Sequence, residues 1–167
     1  MILVLATVVA SPALFAQAAA PGQPAPATSC LPSATLEQLP KALDDAVSGP
    51  GDKDRTCLRQ LVASLATLTL VTGEKRRYLT LEDWLAAMQK RGSVAMYERQ
   101  VLVRTESFGH MAHLWSTYEI SPTPGGKAIA RGINSIQAVF DGKRWWVTGV
   151  LWQAEAPTEP IPEKYLP

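Results

Sequence analysis

Residues 109–120 read GHMAHLWSTYEI, and residues 130–155 read ARGINSIQAVFDGKRWWVTGVLWQAE. Apolar and polar residues alternate through both stretches, which is the period of strands with one buried face. Asp141-Gly142 is a tight-turn pair inside the second stretch. The spacing predicts strands over 96–105, 111–120, 131–140 and 144–153. Ser107-Phe108-Gly109 is read as the first hairpin turn, and Pro122 to Gly126 as a longer loop. Consecutive strands with short connections make an antiparallel meander.

Upstream the period changes. Leu36, Leu39, Leu43 and Val47 recur at spacings of three and four, the apolar stripe of a helix. Thr35 and Gln38 resemble a capping box, and Pro40 either kinks this helix or marks its first turn. Ser48-Gly49-Pro50-Gly51 ends it. Asp54 can cap a short second helix carrying Leu58, Leu61 and Val62, and a strand follows over 63–71. Thr80 and Asp83 open a third helix with the stripe Leu81, Trp84, Leu85, Met88, closed by Gly92. The fold class is α+β: three N-terminal helices packed on one face of a curved antiparallel sheet.

The N-terminus reads differently. Residues 2–10 are an apolar run too short to span a bilayer, and Ala16-Gln17-Ala18 is a small-x-small cleavage signal. Residues 1–18 are read as a signal peptide, the alternatives being a buried strand or a short membrane anchor, 19–32 as a Pro/Ala-rich linker and 33–167 as the folded domain. Export to the periplasm or beyond follows. In an oxidising compartment Cys30 and Cys57, the only two cysteines, are expected to pair; the alternative is two unrelated thiols. Lys+Arg number 16 against 15 Asp+Glu, so no basic excess supports a nucleic-acid partner. The two histidines and two cysteines lack metal-ligand spacing, and no metal or cofactor is expected.

Between residues 42 and 166 the chain resembles the nuclear transport factor 2-like superfamily, whose cone is shared by the ketosteroid isomerases and the SnoaL-like cyclases. The matching pieces are ALDDAVSGPGDKD, LRQLVASLATLTLV, LTLEDWLAAMQK, VAMYERQVLVRTESFGHMAHLWSTYEI and SIQAVFDGKRWWVTGVLWQ, in that order. Exported bacterial members with a leader are the most similar. The resemblance implies a cystatin-like cone with a pocket between sheet and helices. That pocket would serve isomerisation, dehydration or ligand binding, and some members use the fold only for assembly, so the fold does not choose among them. It also implies a homodimer formed through the sheet.

The resemblance points to an Asp general base in the cone, often with a Tyr oxyanion donor. No Asp falls within a predicted strand, which weakens that analogy. His113, Glu119 and Tyr118 are the catalytic candidates; Glu98 is a further possible base, though strand-edge ion pairs explain both glutamates equally well. Pairing the first hairpin about Phe108 sets Val103 opposite His113 and Tyr97 opposite Glu119. His113 and Glu119 would then stand ~20 Å apart, too far for a dyad. Alternation leaves open which strand face is concave. Trp115, Asn134, Trp146 and Trp152 are the ligand-binding candidates, with Trp146 and Trp152 read on one face and Trp145 on the other. Core packing explains the tryptophans as well. Two functions are therefore carried forward: an exported module binding a small apolar ligand or assembling as a dimer, and an isomerase or lyase acting on a small apolar carbonyl compound.

Overall fold

The computed structural model describes residues 29–167. The expected leader and residues 19–28 of the expected linker lie outside the described residues. The elements run α1 (Gln38–Val47), β1 (Gly49–Pro50), α2 (Thr56–Leu61), β2 (Val62–Thr72), β3 (Lys75–Leu79), α3 (Leu81–Gln89), β4 (Ala95–Phe108), β5 (Met111–Ser121), β6 (Ala130–Phe140), β7 (Trp145–Ala154) and a closing 3-10 turn, Glu163–Tyr165. Seven strands form one sheet in the order β1-β4-β5-β6-β7-β2-β3.

The helices obey their local signals. Pro40 lies in the first turn of α1, where its missing N–H is not needed, and Gln38 Oε1 accepts from the amides of Ala34 (2.9 Å) and Thr35 (3.2 Å). Thr80 and Asp83 make the expected reciprocal capping box on α3. Leu39, Leu43, Leu58 and Leu81 join Leu114, Ile136 and Val147 of the sheet in one core. Cys30 and Cys57 form a disulfide, with Cα atoms 5.2 Å apart, and so tie the start of the described chain to α2.

Five expectations need correction. The sheet is mixed: β2 pairs with β7 in parallel. After β3 the chain runs through α3 and starts the meander near the far edge. Four alternating strands then return β7 beside β2 in the same direction. The helices also do not all precede the sheet, because β1 and the β2–β3 hairpin are interleaved with them. The sequence reading took no strand at residues 75–79. Gly73, at φ +55°, closes a two-residue turn there, and Lys75, Arg76 and Arg77 are tolerated because β3 is an edge strand open to water.

Register and facing account for the other two. The first turn is Gly109-His110, with Phe108 opposite Met111 and His113 opposite Glu106. A bulge between Gln100 and Leu102 then shifts the pairing, so Tyr97 faces Ser121 and Arg99 faces Glu119. In β7 the pairing skips Thr148, with Val147 opposite Ala138 and Gly149 opposite Gln137. That extra residue resets the alternation. Trp145 is buried in the core and Trp152 packs on the same side, whereas Trp146 lies between them in sequence and on the outer face.

The outer face of the sheet is partly covered. The chain after β7 folds back so that Thr117, almost wholly buried in mid-β5, donates its hydroxyl to the Tyr165 carbonyl. The Tyr165 ring packs 5.7 Å from that of Trp115, and Arg104 stacks over Tyr165 at 5.2 Å while donating to the Lys164 carbonyl at 2.6 Å.

Candidate functional site

A cavity of about 300 Å³ lies between the helices and the sheet. Its volume is at the small end for ligand sites. Most of its wall is apolar: Leu68 and Leu70 from β2, Trp84 and Met88 from α3, and Trp152 from β7. Its polar wall comes from Glu98, Tyr118 and Asn134, and Arg77 of β3 also lines it. Tyr118 and Asn134 are about nineteen-twentieths buried, so this polar end is the deep one.

The polar end exists because β4 runs past its neighbour. β1 pairs only with residues 95 and 96, which leaves later β4 amides unpaired on that edge. Side chains from α1 and the residue after it take them. Ser48 Oγ accepts from the Glu98 amide (2.9 Å), and Asp44 Oδ2 accepts from the Gln100 amide (2.9 Å). The Gln100 side-chain amide then bridges two acids, donating to Asp44 Oδ1 and to Glu98 Oε1, both at 2.9 Å. Asn134 also donates to Glu98 Oε1, at 3.1 Å, and the Ser116 hydroxyl donates to Gln100 Oε1.

Burial and the neighbouring Asp44 raise the Glu98 carboxyl to about 7, against the opposing hydrogen bonds from Gln100 and Asn134. Burial raises Asp44 to about 6, again against its bonds from Gln100. Tyr118 is pushed up to about 12 by burial and by the Glu98 charge, so its hydroxyl stays protonated. Among the described residues neither that hydroxyl nor Glu98 Oε2 makes a hydrogen bond. The Tyr118 ring lies directly over Gly132, where a Cβ would come within 2.5 Å of the hydroxyl oxygen. The site thus offers one donor, and one carboxyl that changes charge near neutral pH, at the inner end of an apolar chamber.

The candidates divide by strand face. Tyr118, Asn134 and Trp152 meet at the cavity. His113, Glu119, Trp115 and Trp146 do not. His113 Nε2 shares a 3.0 Å hydrogen bond with Ser135 Oγ on the outer face, and Glu119 pairs with Arg99 at 2.6 Å. Trp115 lies under Tyr165. Trp146 donates its indole N–H to Asp141 (2.7 Å) with the Arg144 guanidinium 3.8 Å above its ring. Sequence reasoning missed the Asp44–Gln100–Glu98 chain. Glu98 and Gln100 do alternate on the Tyr118 face, but Asp44 reads as an ordinary solvent-facing helix residue until α1 is docked.

The sequence matches no protein-family model and no curated protein. Solved structures do match. An NTF2-like protein of unknown function from Silicibacter pomeroyi superposes with a TM-score of 0.54 at 14% identity, over 72% of this chain and 92% of that one. An NTF2-like protein from Cytophaga hutchinsonii gives 0.53 at 14%, over 71% and 91%. A protein with a cystatin-like fold from Nostoc punctiforme gives 0.53 at 11%, over 72% and 86%. The chain therefore has the nuclear transport factor 2-like, cystatin-like fold that its sequence resembles.

Proposed function

We propose that this is an exported small-molecule-binding domain whose cavity takes an apolar ligand bearing one polar oxygen at its inner end. The observation that carries this reading is the pairing of an apolar chamber with two unengaged polar atoms, Tyr118 Oη and Glu98 Oε2, at its deep wall. An oxygen there would accept from Tyr118 and, while Glu98 is protonated, from Glu98 as well. Export is supported by the Cys30–Cys57 disulfide together with the leader-like sequence. A ketone such as 2-decanone should quench tryptophan fluorescence saturably through Trp84 and Trp152. A linear, non-saturating response would exclude a ligand chamber.

A second reading has its own support. A carboxyl raised to about 7 beside a protonated phenol is the arrangement of a general base with an oxyanion donor. Glu98 would take an α-proton from a bound carbonyl compound while Tyr118 holds the developing enolate oxygen. Incubating 2-decanone with the protein in D₂O and reading deuterium at the α-carbon tests this. Incorporation abolished by Glu98→Gln supports proton transfer; no incorporation above buffer leaves binding alone. Dimerisation through the sheet, for its part, would use the outer-face area beyond Tyr165, where Val139 and Leu151 are exposed. Light scattering at micromolar concentration distinguishes dimer from monomer.

A further inference from the structure

One charged group on the cavity wall has no place in the account above. Arg77 lines the chamber and is solvent-exposed, so it stands at the mouth, away from buried Tyr118 and Asn134. Its neighbour on β2 is Leu70, Leu70 pairs with Trp152 on β7, and Trp152 pairs with Asn134 on β6. These four residues form one row across four strands. Three strand spacings separate Arg77 from Asn134, roughly 14 Å between backbones on a flat sheet. The row therefore reads cation, aliphatic, aromatic, polar amide, from the mouth inward.

Among the described residues Arg77 makes no salt bridge. The acid that senses its charge is Asp83, whose Oδ2 is already held by the amide and hydroxyl of Thr80. At the other end of the row, ionised Glu98 would repel a second negative charge. The chamber is therefore polarised, with a guanidinium outside and a carboxyl inside.

We propose that the ligand is an anionic amphiphile, a carboxylate whose medium-length hydrocarbon body carries the carbonyl oxygen at its far end, bound head-outward. Arg77 holds the carboxylate at the mouth, and the chain runs inward over Leu70 and Trp152 towards Asn134, which brings the far oxygen to Tyr118. This rests on the binding reading above and adds the charge and orientation of the molecule. A guanidinium grips a planar carboxylate with paired N–H donors, a contact that the neutral methyl ketone of equal length cannot make.

The test compares 9-oxodecanoate with 2-decanone, the same methyl ketone without the carboxylate, by tryptophan quenching of the intact protein at pH 8. 9-Oxodecanoate should bind about tenfold more tightly at low salt. That preference should shrink as salt rises, because the contact is exposed. Arg77→Gln should abolish the preference and Arg77→Lys should keep part of it. Arg76→Gln removes the same charge from the other face of β3, paired with Val71, and should leave the preference intact. Equal binding of the two ligands by the wild type, or a preference that survives Arg77→Gln, overturns the head-outward anion and leaves the chamber reading standing. Quenching by neither ligand overturns both.

Discussion

Replacing Glu98 with glutamine tests the polar end of the cavity through stability, without any ligand. The substitution keeps the shape and the acceptor at Oε1, so the bonds from Gln100 and Asn134 survive. It removes only the charge. Glu98 is raised from 4.5 to about 7 in the fold, so the native state binds its proton more tightly than the unfolded chain does. The stability it contributes is fully present below pH 4.5 and is lost as pH rises through about 7. At 1.36 kcal/mol per pH unit the loss is about 3 kcal/mol, or roughly 10 °C in Tm for a domain of this size. Glu98→Gln should therefore melt within a degree or two of the wild type at pH 4.5 and well above it at pH 8. Asp44, raised in the same direction, stays in both proteins, so the difference between the two melting profiles reports Glu98 together with its repulsion by Asp44. Thermal unfolding by circular dichroism at half-unit pH steps measures it. A variant that is destabilised equally at both pH values would refute the reasoning, because it would show that Glu98 is solvated and titrates normally.

Other outcomes follow from the same geometry. Trp152→Ala should weaken 2-decanone binding by ~2 kcal/mol, measured by fluorescence titration, whereas Trp146→Ala, on the outer face, should leave it unchanged. Gly132→Ala should destabilise the fold and displace the Tyr118 ring, since the new Cβ would sit 2.2 Å from the Gln153 carbonyl oxygen; loss of affinity together with a lower Tm checks it. Cys57→Ser opens a link between residues 27 apart and should lower unfolding free energy by about 3 kcal/mol in denaturant titration. If the leader is cleaved after Ala18, intact-mass spectrometry of exported protein should find an N-terminus at Ala19.

The fold was readable because its strongest signals are local and redundant. The Thr80–Asp83 box, the Asp141-Gly142 turn and the alternation of 111–120 each point the same way. What failed was phase. An unseen bulge at Thr148 turns Trp146 outward, and one beside Val101 moves the pairing of β4, since a single extra residue exchanges the faces of everything beyond it. The site suffered most. His113 and Glu119 carry obvious chemistry but stand on the outer face, while Glu98 gains its character from Asp44 and Gln100, which only docking of α1 brings together. Tyr118, Asn134 and Trp152 line the cavity, on the sheet face that the helices cover.

The parallel pairing of β2 with β7 has a temporal side. Leu68 meets Val150, 82 positions later, and β2 has only the short charged β3 on its other edge. Until residue 154 has been made, most of one edge of β2 is unpaired and the chamber has no wall at Trp152. Long-range pairing of this kind is slow, because the loop must close before any contact rewards it. A chain that completes its sheet last therefore holds its chamber open until its final strand is made. The Cys30–Cys57 crosslink joins residues at the opposite end of the chain and can form before that closure, so the order of events would be bridge first, sheet second.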